Sequence, residues 1–204
     1  EFKVSLTDWS RIRPQSFHMS ALHACRISIA KSNKFEGFVF AGSYSGAIAR
    51  FYVFDNKAKA RTCAYGHNAK IVQFDDCIVP IVKNCVVSLS VDGTICIWSV
   101  MDGLCIFKFE NILPEGCQRI AVSKTQLDLA VVSGAFPQIF FVNLTEGNVM
   151  MKLQQQSSGF ISCLSFYLTE FEEWLFMLDA NGCATYLNMK FQNQNEENGS
   201  QKIR

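Results

Sequence analysis

The clearest pattern along the chain is a turn followed by a short run in which bulky apolar residues alternate with smaller ones. The stretch Ser90–Val100, SVDGTICIWSV, has the turn dipeptide Asp92–Gly93 and an alternating run that ends at Trp98. Alternation with a period of two places successive side chains on opposite faces of a β-strand. No segment of the sequence has convincing helical periodicity. The pattern therefore predicts an all-β chain.

The same turn-plus-strand pattern occurs four times along the sequence. The other copies are Ser43–Val53, Gly134–Leu144 and Asp179–Met189. We assign the turn positions to Gly46, Gly93, Pro137 and Gly182. These positions recur about every 45 residues, which is typical of a repeat architecture.

Each repeat has room for four strands separated by turn residues. In Gly66–Glu110, the runs predicted as strands are Lys70–Phe74, Cys85–Leu89, Thr94–Val100 and Leu104–Phe109. A four-stranded unit of about 45 residues is typical of a β-propeller blade.

The unit Gly66–Glu110 resembles a blade of the WD40-repeat family of β-propellers through a small set of residues. They are Gly66–His67, Ser88, Asp92–Gly93 and Trp98. The resemblance implies a buried structural network of His67, Ser88, Asp92 and Trp98, in which each polar group finds a partner. The chain departs from the family pattern because Ser99 replaces the Asp that follows the Trp. The Trp position is occupied by Phe51, Val142 and Leu187 in the other copies.

These observations predict a partial WD40 β-propeller over residues 1–190, with about four four-stranded blades of a ring of about seven. Residues 191–204 are polar and rich in amides, and we expect a disordered tail or linker there. We interpret the chain, which opens at Glu1–Phe2, as a fragment. An incomplete ring would expose the faces of its terminal blades, so we expect the isolated fragment to self-associate.

The order of the motifs is similar to that of the amino-terminal propellers of the rabconnectin-3 beta family. The most distinctive segment is Gly134–Asn143, which has Pro137 where most WD40 blades have Gly; Phe160–Ser162 opens the next unit. The resemblance implies a cytoplasmic scaffold that associates peripherally with vesicles. It also implies rabconnectin-3 alpha and subunits of the vacuolar-type proton ATPase as partners.

Composition narrows the function classes. The 204 residues include 19 basic and 18 acidic side chains, so the net charge of +1 gives no reason to expect nucleic acid as a partner. No apolar run approaches the ~18 residues of a membrane helix. The nine cysteines are scattered and form no C-x-x-C pair, which favours a reducing, cytoplasmic compartment over a disulfide framework or zinc site.

Three groups of residues have the right types for chemistry. His67, Ser88 and Asp92 match a hydrolase triad, but Ser88 lies in an apolar run rather than in an exposed, strained turn, so the structural network is favoured. His18 and His23, with Cys25 nearby, could bind a metal ion, and Asp75–Asp76 could bind Ca²⁺. We favour a blade-opening role for His18 and a solvated loop for Asp75–Asp76, and we predict no cofactor.

The sequence thus predicts a non-catalytic protein-interaction scaffold, in a rabconnectin-3-like complex that regulates proton-ATPase assembly and vesicle acidification. One alternative is a generic WD40 adaptor, such as a ubiquitin-ligase substrate receptor or a coat component. A propeller enzyme ranks last, because no cluster of polar residues marks a catalytic channel.

Overall fold

The computed structural model describes residues 22–29, 36–54, 57–79, 82–126, 128–155 and 159–189. Every regular element in these ranges is a β-strand, which confirms the all-β prediction for this part of the chain. The strands are β1 (Leu22–Ile29), β2 (Glu36–Ser43), β3 (Ala47–Phe54), β4 (Lys57–Tyr65), β5 (Ile71–Val79), β6 (Val82–Ser90), β7 (Ile95–Ser99), β8 (Cys105–Phe109), β9 (Cys117–Val122), β10 (Leu129–Gly134), β11 (Phe136–Asn143), β12 (Asn148–Gln154), β13 (Ile161–Leu168), β14 (Glu173–Asp179) and β15 (Ala184–Asn188).

The strands form four antiparallel sheets in which each strand pairs with the next one along the chain. The first sheet is β1–β4, the second β5–β8, the third β9–β12 and the fourth β13–β15. The first strands of consecutive sheets lie side by side, so that β1 contacts β5, β5 contacts β9, and β9 contacts β13. The sheets therefore follow one another face to face, with the opening strand of each next to that of the following sheet.

An apolar layer fills each boundary between neighbouring sheets. Between the first and second sheets it contains Phe38, Phe40, Ile48, Ile71, Phe74, Val86, Cys96, Trp98 and Val100. Between the second and third it includes Val87, Leu89, Ile95, Ile97, Ile120, Val132, Phe140 and Val142. Between the third and fourth it includes Val131, Ile139, Phe141, Leu164, Leu175 and Met177. Burying one such side chain stabilises the fold by about 1.5–3 kcal/mol, so these layers are the main source of stability.

Three of the four sheets share one turn after their second strand. Gly46, Gly93 and Gly182 have φ angles of 82°, 83° and 82°. Their amides donate to the carbonyl oxygens of Ser43, Ser90 and Asp179 at 3.4, 3.1 and 3.2 Å. Positive φ favours glycine at all three. At Gly46, a Cβ would also lie 2.2 Å from the backbone oxygen of His67.

The third sheet departs from this pattern, and the assignment of Pro137 to the turn is wrong. Pro137 lies inside β11, and the chain reverses at Ala135, between Gly134 and Phe136, which pair with each other. Proline is tolerated there because it stands near the start of the strand, beside an irregularity in the β10–β11 register. Glycine is required at 134, since a Cβ would lie 2.3 Å from the oxygen of Gly116.

Two other predictions need correction or fall outside the described ranges. The fourth sheet has three strands within the described residues rather than four. Asp75 and Asp76 lie in β5 and are half-buried, so they are not a solvated loop. His18, the polar tail at 191–204 and the domain boundary after residue 190 lie outside the described residues. So do the side chains of His23 and Cys25.

Candidate functional site

Three of the residues singled out from the sequence meet at the boundary between the first and second sheets. His67 lies between β4 and β5, Ser88 in β6 and Trp98 in β7. The Nε2 atom of His67 is 2.6 Å from Ser88 Oγ, and the indole Nε1 of Trp98 donates to the same oxygen at 2.8 Å. All three side chains are buried. Ser88 Oγ therefore joins two strands to the loop that carries His67; we call these three residues the buried cluster.

Burial determines the charge of His67. Removal from water lowers the pKa of His67 to about 4; the negative charge of Asp92 opposes this shift, and the positive charge of Lys108 adds to it. The ring is therefore neutral at pH 7. A neutral imidazole can accept or donate one hydrogen bond to Ser88 without leaving an uncompensated charge in the layer.

Asp92 takes a different place from the one expected. Its Oδ1 atom accepts hydrogen bonds from the hydroxyl of Ser90 and, at 3.0 Å, from the amide of Thr94. Burial raises the pKa of Asp92, but these hydrogen bonds outweigh burial and the net shift is downward. Among the described residues, no hydrogen bond joins Asp92 to His67. Asp92 therefore stabilises the β6–β7 turn and acts on His67 only through its charge.

This geometry does not assemble a hydrolytic site. A nucleophilic serine needs access to a substrate and donors placed for an oxyanion, whereas Ser88 is fully buried. Its oxygen already accepts from Trp98, and its hydroxyl is 3.4 Å from the backbone oxygen of Cys96. In a triad, the acid orients the histidine by a direct hydrogen bond, which is the contact that Asp92 lacks here.

Polar side chains that the sequence did not single out connect neighbouring sheets. Arg50, which is buried, donates from Nη1 to the backbone oxygens of Val100, at 2.7 Å, and Met101. Gln73 donates to the backbone oxygen of Ile120 at 2.9 Å and accepts from its amide at 3.3 Å. Each contact ties one sheet to the backbone of the next.

Two carboxylates hold the segment 122–125 from opposite sides. From the second sheet, Asp75 accepts from the amide of Val122 at 2.8 Å. From the fourth sheet, the buried Glu173 accepts from three donors. These are the hydroxyls of Ser123 and Thr125, at 2.5 and 2.6 Å, and the amide of Lys124, at 2.5 Å. A periodic apolar pattern carries no signal for such residues, because their partners come from other sheets.

The outward side of the fourth sheet has an open aromatic face, formed by Tyr167, Trp174, Phe176 and Tyr186. Tyr167, Phe176 and Tyr186 are exposed, and Trp174 is half-buried. The rings contact one another, with centroids 6.1 Å apart for Tyr167–Phe176 and 5.6 Å apart for Trp174–Tyr186. The opposite side of the same sheet packs Leu164, Leu175 and Met177 against the third sheet.

No three His, Cys, Asp or Glu side chains among the described residues lie close enough together to hold a metal ion. The described ranges contain no helix that is long and apolar enough to cross a membrane.

Known structures match this chain in fold, but no known family matches it. No family model matches the chain, and no curated protein matches it. The chain is similar to the crystal structure of the computationally designed Ika4 protein, with a TM-score of 0.60 and 18% identity over 85% of this chain and 94% of that one. The computationally designed Ika8 protein has a TM-score of 0.58 and 17% identity over 85% of this chain and 48% of that one. The chain thus corresponds to almost all of Ika4 and about half of Ika8, and this likeness concerns the fold alone.

Proposed function

We propose that the four sheets are part of a WD40-type β-propeller that acts as a non-catalytic protein-interaction scaffold. Successive antiparallel sheets with adjacent opening strands support this architecture. So does the turn repeated at Gly46, Gly93 and Gly182. The third-strand position of Trp98 recurs at Val142 and Leu187. Each of these side chains packs towards the preceding sheet.

The burial of Ser88 is the observation that supports a non-catalytic function. Ser88 and His67 are the residues best suited to nucleophilic chemistry. Both are buried, and the hydrogen bond between them ties β6 to the loop that carries His67. A serine that is buried between two sheets and already accepts a hydrogen bond from Trp98 cannot reach a substrate. The function is therefore assigned to surfaces and loops.

Among scaffolds, we propose a rabconnectin-3 beta-like role in a complex that regulates assembly of the vacuolar-type proton ATPase and vesicle acidification. The support is the order of motifs along the sequence, from Tyr65–Gly66–His67 to the segment Gly134–Asn143. The proposed partners are rabconnectin-3 alpha and proton-ATPase subunits, and the proposed location is the cytoplasm with peripheral attachment to vesicles. A generic WD40 adaptor is the alternative.

The decisive experiment is affinity capture of the tagged 204-residue chain from cytosol and from washed vesicles, followed by immunoblotting. We expect rabconnectin-3 alpha and peripheral proton-ATPase subunits in the eluate. A Trp98→Ala variant, in which the layer between the first and second sheets loses its largest side chain, should recover less of both. Recovery of a cullin ligase or coat subunits instead would support the generic adaptor and contradict the rabconnectin-like role.

The enzyme alternative has its own test. Ester and phosphate hydrolysis is measured for the chain and for Ser88→Ala. We expect no turnover by either protein. Turnover that disappears in Ser88→Ala, while circular dichroism shows that the strands remain, would overturn the non-catalytic assignment.

A further inference from the structure

The second sheet contains two pairs of neighbouring thiols that the scaffold function does not use. Cys77 and Cys85 stand opposite each other on β5 and β6. Cys96 and Cys105 lie on β7 and β8. All four are free. The two pairs differ in access, because Cys77, Cys85 and Cys96 are buried whereas Cys105 is exposed.

Cys96 and Cys105 point towards the same face of the second sheet. The β7–β8 ladder pairs Cys96 with Lys108 and Trp98 with Cys105, with a bulge between these two pairs. Residues paired directly across an antiparallel ladder project on the same side. The two thiols are therefore diagonal neighbours, and the ammonium of Lys108 stands on the same face.

The surroundings of Cys96 and Cys105 shift the pKa values of the two thiols in opposite directions. A hydrogen bond from the Cys96 thiol lowers the pKa of Cys105, burial opposes this shift, and the positive charge of Lys108 assists it. The same hydrogen bond and burial raise the pKa of Cys96. An exposed thiol with a lowered pKa beside a second thiol is the arrangement of a peroxide-sensitive cysteine and its resolving partner.

We propose that Cys105 is an oxidation site for hydroperoxides and that Cys96 resolves it to a reversible disulfide between β7 and β8. The Cys105 thiolate attacks one peroxide oxygen. The O–O bond breaks, a sulfenic acid forms on Cys105, and the other oxygen leaves as hydroxide, which takes up a proton. The Cys96 sulfur then attacks the sulfenic sulfur, the S–O bond breaks, and the Cys96 proton leaves with the oxygen as water. The two thiols lose two electrons in total, and the peroxide gains them.

The position of β8 allows the bond to form and favours its reversal. A diagonal pair must close to the ~3.8 Å Cβ separation of a disulfide, which requires one strand to shift. Among the described strands, β8 is the edge strand of the second sheet and pairs with β7 alone, so it can move more easily than an interior strand. A disulfide that retains some strain is more readily reduced, as a regulatory bond should be.

Oxidation would also reach the buried cluster. Cys96 Sγ lies 3.9 Å from His67 Nδ1 and 3.6 Å from the backbone oxygen of Gly66. A disulfide to Cys105 would draw the sulfur away from both contacts. The thiol pair is therefore coupled by direct contact to the loop that closes the boundary between the first and second sheets.

The test treats the reduced 204-residue chain with hydrogen peroxide, blocks remaining thiols with iodoacetamide and locates the products by peptide mass spectrometry. We expect a Cys96–Cys105 crosslinked peptide, about 2 Da lighter than the two reduced peptides together and restored by dithiothreitol. It should be lost in Cys105→Ser and retained in Cys85→Ser, which removes the buried pair as a matched control. In Cys96→Ser, dimedone should label Cys105, because no resolving thiol remains.

Two results would overturn the proposal. One is a Cys77–Cys85 crosslink that forms before any Cys96–Cys105 crosslink, since access would then not determine the site. The other is Cys105 sulfinic acid without a crosslink in the unsubstituted chain, since Cys96 would then not resolve the sulfenic acid. Neither result depends on whether the buried substitution Cys96→Ser folds.

Discussion

In the second sheet all five residues of β7 are buried, whereas in the fourth sheet four of the five residues of β15 are exposed. Both strands follow the same glycine turn, at Gly93 and Gly182, and both occupy the third place in their sheet. The difference arises from their neighbours. The second sheet packs against a sheet on each side, and β7 lies between β6 and β8. The fourth sheet packs against the third on one face and has its aromatic rings open on the other, and β15 is its edge strand within the described residues.

The two sheets show that the position of a side chain decides whether its polar group needs a partner within the protein or can bind water. Between two sheets, the indole of Trp98 is fully buried and its N–H needs a partner, which Ser88 provides. On the open face, Trp174 remains partly exposed to water, which can satisfy its N–H. The same residue type therefore belongs to a buried network in one sheet and to a surface cluster in the other.

The largest expected loss of stability comes from replacing Trp98, and Trp174 is its matched comparison. Trp98→Ala should lower the free energy of unfolding by about 4 kcal/mol, because it opens a cavity in a fully buried layer and leaves Ser88 without a donor. Trp174→Ala, on the open face, should cost well under half as much. Urea unfolding followed by circular dichroism measures both. Equal losses would show that the open face is covered in solution.

Glu173 is a buried polar residue on the inner face of the fourth sheet, where it joins that sheet to the third. Glu173→Ala should lower the free energy of unfolding by about 3 kcal/mol, since three donors on residues 123–125 lose a charged acceptor. The control is Glu170→Ala, which changes an exposed carboxylate in the loop just before β14. Chemical denaturation compares the two variants. A loss in Glu173→Ala no larger than in Glu170→Ala would contradict the role of Glu173 in joining the third and fourth sheets.

Two buried serines allow a smaller and more specific comparison. Ser88→Ala should cost about 2 kcal/mol, because it leaves the indole N–H of Trp98 and a ring nitrogen of His67 without their partner. Ser133 in β10 is equally buried, and its hydroxyl has no hydrogen-bond partner within the described ranges. Ser133→Ala should therefore be neutral or slightly stabilising. If both substitutions cost the same in urea unfolding, the hydrogen bonds of Ser88 add nothing beyond packing.

The sequence pattern predicted the strands, because the turn and the apolar alternation repeat at a fixed spacing. The contacts of Ser88 with His67 and Trp98 occur in one unit alone among the described residues, and they were expected from the resemblance of that unit to a known repeat family. The sequence pattern could not predict the roles of Arg50, Gln73 and Glu173. Each of these binds backbone or hydroxyl groups of a sheet formed roughly 50 residues away, so the reason for the residue lies in a neighbouring sheet. Pro137 was misplaced for a related reason. The close approach of Gly134 to Gly116, which fixes the turn, is a tertiary contact.

Protonation of His67 gives the smallest expected change in the free energy of unfolding. Because this change depends on pH, it reports on the buried cluster specifically. In the unfolded chain the pKa of histidine is near 6.5, and in the folded chain that of His67 is about 4. Between these values the unfolded state binds more protons, so stability is full above pH 6.5 and is lost as the pH falls towards 4. From pH 7 to pH 5 the expected loss of unfolding free energy from this group is about 1–2 kcal/mol.

Urea unfolding at pH 7 and pH 5, for the unsubstituted chain and for His67→Gln, isolates this contribution. Glutamine can still hydrogen-bond to Ser88 but does not titrate, so the variant should lose less stability over this interval. Carboxylates and the other two histidines contribute equally to both proteins and cancel in the difference. An identical pH dependence would mean that His67 can be protonated in the folded state at little cost. The boundary between the first and second sheets would then be open to water, as the outer face of the fourth sheet is.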